Sequence, residues 1–517
     1  MVKREEGALL QSIVLDREGQ HGLSVQICAG LRELILGGAL KVGERLPATR
    51  TLAQEFGVAR TTIVESFERL AAEGLIETRV GSGTYVSRAL ANERPEPTAA
   101  PVAPPTARVR LAQAMDAASK LFGTRLSHQP RAFTTAMPAF DAFPMAQWAR
   151  LSGKHWRKPR HQVLGYPDPH GERSLRQAIA AHLRLNRGIA CEWQQVFVVA
   201  GAQQAFQLIA ATLLDPGDKV WFENPGAIGA RNSLIQSGAE LVPVPVDEAG
   251  IVVEEGVRRA PAFRLAFVTP AHQQPLGAKM SLERRLALLE AAESSGGWII
   301  EDDWDGEFCF QGAPMATLTS IDRSGRVIYV GTFSKTLFPS LRLGFLVAPP
   351  HLVEQIGICL DAFSPGVPTA LQGIVADFIV EGHFATHVRR MRKLYQERYQ
   401  ALEEAVREQL APDLEVVPTQ TGMHTVAFLR PGLDAVAMTR MASRRGVTVA
   451  PISRFCLEPI ARDGLVLGFS GFTPAEIRAG VLDLRHCIRE LAELGAGAAY
   501  WTGDSAGMVL SREPNSP

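Results

Sequence analysis

Lys335 lies in the segment with the strongest chemical signal, RVIYVGTFSKTLFPSLRLGF, where a β-branched run leads into a short turn rich in hydroxyl groups. An ammonium placed directly after a buried strand loses hydration, which lowers its pKa and makes the amine nucleophilic. Such an amine can form a Schiff base with an aldehyde cofactor. Thr332, Ser334 and Arg342 are candidates to hold the cofactor phosphate, the arginine through its planar fork. A plain surface lysine is the alternative if the segment is taken alone.

Asp302 follows an apolar strand in a second segment, GGWIIEDDWDGEF. Acids at the carboxyl end of a parallel strand lie where α/β sheets bind ligands. One such carboxylate can pair with the ring nitrogen of pyridoxal phosphate (PLP) and keep it protonated, which maintains the electron-withdrawing ring. A solvated loop or a magnesium site is the alternative. A metal is disfavoured because no GxxxxGK[ST] loop and no helical histidine pair accompany the acids.

A third segment, VFVVAGAQQAFQLIAATLL, has the pattern of a strand, a turn and a helix. The backbone amides near Ala202 and Gln203 would lie at the start of that helix, where helices bind phosphate. The signal is weak alone, and it gains weight only from the other two segments.

Composition and order place these segments in a large α/β domain. At 517 residues the chain predicts two or three structural units. Apolar strand-like runs alternate with helical stretches from 130 to 495, which predicts a mainly parallel sheet. A proline-rich linker at 89–129 precedes this domain, and a Gly, Ala and Ser-rich tail at 496–517, expected to be disordered, follows it. The net charge is zero, six cysteines form no CxxC pair, and no signal peptide or membrane span is predicted, so we expect a cytoplasmic globular protein.

Residues 20–88 predict three helices followed by a hairpin. Thr49 is a candidate N-cap for the second helix, and Gly57 supplies the turn into the third. The third helix runs from about Arg60 to Glu73, and LIETRVGSGTYVS after it has the pattern of two short strands joined through glycines. A protein-interaction module is the alternative on shape alone. In the third helix the inward residues are Ile63, Phe67 and Leu70, and the outward ones are Arg60, Thr61, Thr62, Glu65, Ser66 and Arg69.

The run LPATRTLAQEFGVARTTIVESFERLAAEGLIETRVGSGTYV resembles the GntR family of winged helix-turn-helix regulators. The resemblance implies an α+β DNA-binding domain in which the third helix reads the major groove and the hairpin is the wing. Ala59 stands where the family often has a capping serine, which would weaken the helix start by about 1 kcal/mol. By position the implied DNA contacts are Arg50, Arg60, Thr61, Thr62 and Gly83.

The large segment resembles the fold-type I PLP-dependent enzymes, and the two halves together resemble the MocR/GabR subfamily of GntR-type regulators. Motifs match in order, from LGYPDPHGERSLRQAIAAHL through VVAGAQQAF, FENPGAIGAR and FVTPAHQQPLGAKM to IIEDDWDGEF and GTFSKTLFPSLRLGF. Tyr166 resembles the tyrosine that reaches the cofactor phosphate from the neighbouring subunit, which implies a homodimer. The resemblance also implies Lys335 as the Schiff-base lysine, Asp302 as the pyridinium partner, and Gln203, Ser334 and Arg342 as phosphate ligands.

Three positions depart from the family pattern. Ala227 replaces the usual aromatic residue that stacks on the cofactor ring, and Trp304 replaces a tyrosine that bonds the ring oxygen. Gln274 is the candidate to donate to that oxygen instead. Val466 stands where aminotransferases have the arginine that clamps a substrate α-carboxylate, which argues against efficient turnover of ordinary amino acids.

The leading hypothesis is therefore a transcription regulator that binds operator DNA and senses a small amine through PLP, without serving as an enzyme. A catalytically active aminotransferase or decarboxylase with an appended DNA-binding domain is the second hypothesis. A third is that PLP itself, or another B6 vitamer, is the signal. The sequence ranks neither the effectors nor the direction of regulation.

Overall fold

The computed structural model describes residues 13–19, 21–79, 81–89, 129–310 and 316–501, with a few positions between 112 and 119. The side chains of 494–501 are not described. Two compact units, residues 1–109 and 110–517, make up the chain, and each is described by itself. Most of the predicted linker at 89–129 and residues 502–517 of the predicted tail lie outside the described residues.

The first unit contains three helices and a two-stranded antiparallel hairpin. Its core joins apolar side chains of all three helices, among them Leu31, Leu52 and Ile63. Gly57 adopts a left-handed conformation with φ 62° and ends the second helix, as its type predicts. The elements are α1 (Leu23–Leu36), α2 (Thr49–Phe56), α3 (Arg60–Ala72), β1 (Ile76–Arg79) and β2 (Gly83–Val86).

Two residues of this unit differ from the expectations. Thr49 is the first helical residue of α2, and the N-cap is Ala48, which has no side-chain cap. Ser66 is fully buried rather than outward, because its hydroxyl lies 2.9 Å from the carbonyl of Ser24 and 2.8 Å from that of Thr62. A small hydroxyl that bonds to backbone can face a core, and helical periodicity alone does not reveal this.

The first unit also begins earlier than residue 20. Arg17 donates to the carbonyls of Phe56 and Gly57, at 3.3 and 3.0 Å, which are otherwise unpaired groups at the end of α2. Ile13 and Leu15 pack against the core. The segment 13–19 is therefore part of the folded unit.

The second unit is built on an eight-stranded sheet with helices on both faces. Successive residues of its first strand alternate between two clusters: Phe197 and Val199 in one, Val196 and Val198 in the other. The strands are β3 (Val196–Val199), β4 (Lys219–Asn224), β5 (Glu240–Asp247), β6 (Gly250–Ile251), β7 (Leu265–Val268), β8 (Trp298–Asp303), β9 (Val327–Thr332) and β10 (Gly344–Val347). The helices along them are α4 (Met145–Trp156), α5 (Arg160–Leu164), α6 (Arg173–Asn186), α7 (Ala202–Leu213), α8 (Ile228–Gln236), α9 (Val253–Arg259), α10 (Leu282–Ser295), α11 (Leu318–Ile321), α12 (Phe333–Thr336), α13 (Val353–Phe363), α14 (Thr369–Val380) and α15 (His383–Gln409).

The order of strands in this sheet is β3-β10-β9-β8-β7-β4-β5-β6. The pairs from β9 to β5 are parallel, as the sequence predicts, whereas β10 is antiparallel to both of its neighbours. The first residue of β10, Gly344, therefore pairs with Val199 and Thr332, the last residues of β3 and β9. The carboxyl ends of β3, β8 and β9 meet at this edge of the sheet.

A second, four-stranded sheet and the helices beside it form the C-terminal part of this unit, from Leu414 to Trp501, which we call the C-terminal lobe. Its strands are β11 (Leu414–Val416), β12 (His424–Leu429), β13 (Ala450–Pro451) and β14 (Gly464–Gly468), in the antiparallel order β11-β12-β14-β13. The remaining helices are α16 (Ala435–Arg444) and α17 (Pro474–Trp501). Because α17 continues to Trp501, the domain end predicted at 495 lies inside a helix. No helix among the described residues is long and apolar enough to cross a membrane.

Candidate functional site

The first turn of α3 presents the predicted DNA-reading residues. Arg60 and Thr61 are exposed and Thr62 is half-buried. Ala59 is the N-cap and makes no side-chain hydrogen bond to the turn, as its type predicts. Arg60 Nε donates to Thr49 Oγ1 at 3.3 Å, which fixes the guanidinium between the starts of α2 and α3. This end of α3 thus offers amides and a cation to an approaching phosphate.

The hairpin lies beside a cation that the sequence analysis missed. Gly83 has φ 116°, and a Cβ added there would lie 2.9 Å from Arg45 Nε. Arg45 forms a β-bridge with Tyr85, so its side chain lies along the hairpin. Arg50 is exposed near the start of α2. A signal for Arg45 was its place directly before Leu46, where the run that resembles GntR regulators begins.

Lys335 lies in α12, directly after β9, as its motif predicts. Its Nζ donates to the carbonyl of Ala136 at 3.4 Å. Burial lowers the pKa of Lys335 to about 8, against the opposing effect of the Asp305 and Asp302 carboxylates. The neutral, nucleophilic amine is therefore accessible close to neutral pH.

Asp302, at the end of β8, is 5% exposed, and its Oδ1 is buried without a hydrogen-bond partner. Burial first, and then the nearby Asp303 and Asp305, raise the pKa of Asp302 well above its ordinary value. The adjacent Asp303 is engaged differently, by Arg187 and by the hydroxyl of Tyr329. Asp302 is thus a carboxyl that lacks a donor, which the protonated nitrogen of a pyridine ring would satisfy. The residues present fit PLP on this observation.

The predicted phosphate ligands meet where β3, β9 and β10 adjoin. Arg342 donates to the carbonyl of Ala200 at 3.0 Å, and its guanidinium would lie 3.4 Å from a Cβ on Gly201. Gly201, with φ 97°, immediately precedes α7, so Arg342 lies beside the amides of Ala202 and Gln203. Thr332, the last residue of β9, and Ser334, in α12, lie at the same edge of the sheet. Thr332 Oγ1 accepts a hydrogen bond from the amide of Ser334.

Two predicted ligands are not joined to this cluster. Tyr166 is 98% exposed and makes no hydrogen bond within the described part of the chain. Gln274 is half-buried; its amide donates to Thr269 Oγ1 at 3.1 Å and its carbonyl accepts from Gln273 Nε2 at 2.9 Å. These backbone bonds fix the loop and leave the Gln274 side chain available.

The three departures from the family pattern are all packed. Ala227 is buried at the N-cap of α8, and Val466 is 1% exposed in a cluster with Val426 and Ile452. The indole of Trp304 donates to the carbonyl of His272 at 3.2 Å, so its only donor is engaged.

A buried group of His272, Asp305 and His424 was missed by the sequence analysis. Their ligand-type atoms lie within 4.8 Å of one another. His272 Nδ1 bonds Asp305 Oδ2 at 2.8 Å, and His424 Nε2 donates to the Pro275 carbonyl at 2.9 Å, so each histidine has a hydrogen-bond partner. The two imidazoles lie with centroids 4.9 Å apart. We interpret the group as a hydrogen-bonded pair packed beside a second histidine rather than as a metal centre. The only signal in the sequence was three polar residues in separate apolar segments.

Two family models match the chain. Residues 23–86 match "Bacterial regulatory proteins, gntR family", and residues 141–479 match "Aminotransferase class I and II", a PLP-dependent family. The first match falls on the first unit and the second on the second unit, as the two resemblances imply.

Similar proteins include transcription regulators and an aminotransferase. The chain is 41% identical to the probable rhizopine catabolism regulatory protein MocR of Rhizobium meliloti, covering 94% of this chain and 97% of that protein. It is 29% identical to the pyridoxine biosynthesis transcriptional regulator PdxR of Corynebacterium glutamicum, covering 90% and 96%. Among solved structures, LysN, an α-aminoadipate aminotransferase of Thermus thermophilus complexed with N-(5'-phosphopyridoxyl)-L-leucine, aligns with TM-score 0.66 and 26% identity, covering 74% and 96%.

Proposed function

The chain belongs to the MocR group of GntR-type transcription regulators, and from this premise we propose that its aminotransferase-like unit senses a small amine or a B6 vitamer through PLP held at Lys335. The predicted fold, a winged helix-turn-helix followed by a fold-type I unit, is confirmed. The operator would be double-stranded DNA, and the compartment would be the cytoplasm, where bacterial DNA lies.

One observation carries the cofactor proposal: a half-buried amine and a buried carboxyl without a partner lie at the same edge of one sheet. The amine is Lys335, with a pKa lowered to about 8, and the carboxyl is Asp302. When bound, PLP would supply an aldehyde that Lys335 holds as a Schiff base and an incoming amine can take over.

The other residues would orient the cofactor. Arg342 would bind the phosphate through its fork, together with the amides of Ala202 and Gln203 at the start of α7. Gln274 would donate to the ring oxygen, because the Trp304 indole is engaged by His272. The hydroxyls of Thr332 and Ser334 would complete the phosphate site.

Tyr166 supports a homodimer. The Tyr166 side chain is 98% exposed, and Leu164 and Phe363 are also 72% and 79% exposed, so a second copy could cover these apolar side chains. We propose that Tyr166 reaches the phosphate site of a second copy.

Sensing is favoured over turnover by the position of Val466. The side chain is packed in the core of the C-terminal lobe, where an aminotransferase would present an arginine to the substrate carboxylate. The aminotransferase hypothesis keeps one support, the intact pair of Lys335 and Asp302. Sustained transfer between an amine donor and a keto acid would favour the enzyme; a single half-reaction is compatible with a sensor.

Borohydride reduction of the purified protein tests the cofactor. Wild type should show a visible chromophore that borohydride reduces and fixes on Lys335, and Lys335→Ala should lack it completely. Lys279→Ala, at a half-exposed lysine of the same unit, is the matched control and should behave as wild type. Identical spectra of wild type and Lys335→Ala, with nothing reducible, would refute the proposal.

Measurements of operator affinity distinguish a B6 vitamer from a small amine as the signal that the protein senses. If a B6 vitamer is the signal, loading Lys335 should alter DNA binding without any amine. If an amine is the signal, the loaded protein should change its affinity only when that amine is added.

A further inference from the structure

Ala136 has a strained backbone conformation and lies against Lys335. Its φ is 59°, in the left-handed region, where the Cβ of an alanine crowds the backbone. The other non-glycine residues with positive φ in the described part of the chain are Phe133 and Arg342, the latter a proposed phosphate ligand. Strained residues persist only where the surrounding structure fixes them, and they cluster at functional sites. Ala136 is therefore a candidate for a role beyond turning the chain.

The carbonyl of Ala136 accepts a hydrogen bond from Lys335 Nζ at 3.4 Å. Within the described residues, this is the only hydrogen bond that either group makes. An acceptor at this distance favours the ammonium form of the lysine, because it stabilises the charge. Since φ helps to determine where the carbonyl of the same residue points, another conformation at Ala136 would turn this oxygen away from Lys335.

The chain on both sides of Ala136 is fixed to the C-terminal lobe. On one side, the carbonyl of Phe133 accepts from the amide of Gly468 at 3.0 Å, within an isolated β-bridge. On the other side, the carbonyl of Met137 accepts from the hydroxyl of Ser470 at 2.6 Å. These contacts hold the segment 133–137 at both ends, which explains why the strained conformation persists between them.

We propose that Ala136 is a positioning residue for Lys335: its left-handed backbone turns the carbonyl toward the free amine and holds that amine in place. The inference rests on the proposed role of Lys335. Because Gly468 and Ser470 hold the same segment, the contact also links the Lys335 amine to the position of the C-terminal lobe.

Reductive methylation of the full chain without cofactor tests this assignment. The cofactor is removed by dialysis against hydroxylamine, and the protein is treated with formaldehyde and a borane reductant over a range of pH. Mass spectrometry of the Lys335 peptide then gives the rate of methylation against pH, and the midpoint of that curve reports the free amine. The charged groups that act on the pKa of Lys335 are Asp305, Asp302 and Arg342. All three are present in every variant, so differences between variants report on Ala136.

Threonine and asparagine at position 136 form a matched pair. Both add a polar side chain of similar size, but asparagine tolerates a left-handed backbone, whereas a residue branched at Cβ does not. Ala136→Asn should keep the wild-type midpoint, and so should Ala136→Gly, because glycine adopts positive φ without strain. In Ala136→Thr the carbonyl should turn away from the amine. The midpoint should then fall by about half a pH unit, so that the rate at neutral pH rises roughly threefold.

The direction of the shift separates positioning from simple loosening of the segment. If a substitution only opened the segment to water, the Lys335 amine would become hydrated, and its midpoint would rise toward the ordinary lysine pKa of about 10.4. Thr135→Val, at the neighbouring half-buried residue, is the control and should leave the midpoint unchanged.

Thermal melting identifies variants that fail to fold, and if Ala136→Thr is among them, Ala136→Val, which is also branched at Cβ, decides. An unchanged or raised midpoint in the folded β-branched variant, or an equal fall in Ala136→Asn, would overturn the proposal. Since methylation is measured without cofactor, this result is independent of the chromophore test. A missing chromophore together with a lowered midpoint would reject the cofactor proposal and keep the role of Ala136.

Discussion

The two units place their functional groups in opposite surroundings. In the first unit, Arg50, Arg60 and Thr61 lie on the surface, where water and salt screen them. In the second unit, Asp302 is buried and Lys335 is half-buried, and desolvation shifts the pKa of each so that its neutral form is favoured. A change on the predicted DNA-reading surface should therefore alter DNA binding alone. A change near Lys335 and Asp302, at the proposed cofactor site, should alter stability and chemistry together.

Glu223 offers the sharpest test of how burial in the second unit changes the pKa of a carboxyl and, through it, the stability of the fold. The carboxyl is fully buried in β4, accepts from Thr269 and Gln273, and has a pKa raised by burial to about 7. The folded state therefore binds a proton that the unfolded state releases above pH ~4.5. The free energy of unfolding should fall between pH ~4.5 and 7 by up to about 3 kcal/mol from this group.

Glu223→Gln should flatten this part of the pH profile. The measurement is denaturant or calorimetric unfolding of the second unit at several pH values. Glu240→Gln, at an exposed glutamate, should leave the slope unchanged. Equal slopes in wild type and Glu223→Gln would contradict the burial argument. Glu301, Asp302 and Asp305 shift in the same direction, so only the difference between variants is informative.

Arg60→Ala tests the exposed side. Removing a guanidinium that reaches a base edge or phosphate should weaken operator binding by roughly 2 kcal/mol, about thirtyfold. The melting temperature and the chromophore should stay as in wild type, because the side chain is exposed. Arg69→Ala is the control, since Arg69 is exposed at the far end of α3 and pairs with Glu65. Titration of upstream DNA in a mobility-shift assay measures both, and equal affinity of the two variants would reject α3 as the reading helix.

Ala59→Ser gives the smallest expected effect. A serine hydroxyl at the N-cap can accept from a free amide of the first turn of α3, which now has no side-chain cap. The first unit should gain about 1 kcal/mol in unfolding free energy. Chemical denaturation of the first unit, residues 1–109, followed by a signal other than the cofactor chromophore, would measure this gain in unfolding free energy. A destabilised variant would show that the cap position is needed for another contact.

The features that the sequence predicted correctly are those in which local pattern and chemistry coincide. Lys335 and Asp302 each lie within a few residues of the end of a buried strand, so a strand-end argument was enough to place them at one edge. Gly57 was predictable because a left-handed turn favours glycine. These features depend on neighbours in the chain.

Features that depend on distant partners were missed or misassigned. Thr49 has the residue type of an N-cap, but its hydroxyl accepts from Arg60, eleven residues away. Ser66 was counted as outward because periodicity treats a hydroxyl as polar, whereas the carbonyl of Ser24 makes its burial favourable. The successive members of the group His272, Asp305 and His424 are 33 and 119 residues apart, too far for a spacing argument. The role of Tyr166 stays a prediction, because a single chain cannot test it.

Arg17 has a practical consequence for anyone preparing this protein. Its two hydrogen bonds hold the segment 13–19 on the turn that separates α2 from α3, the proposed reading helix. A chain shortened to the family match at residue 23, or an affinity tag fused there, would release this turn. Weak DNA binding by such a shortened fragment would then reflect the loss of the Arg17 hydrogen bonds rather than a defect in α3.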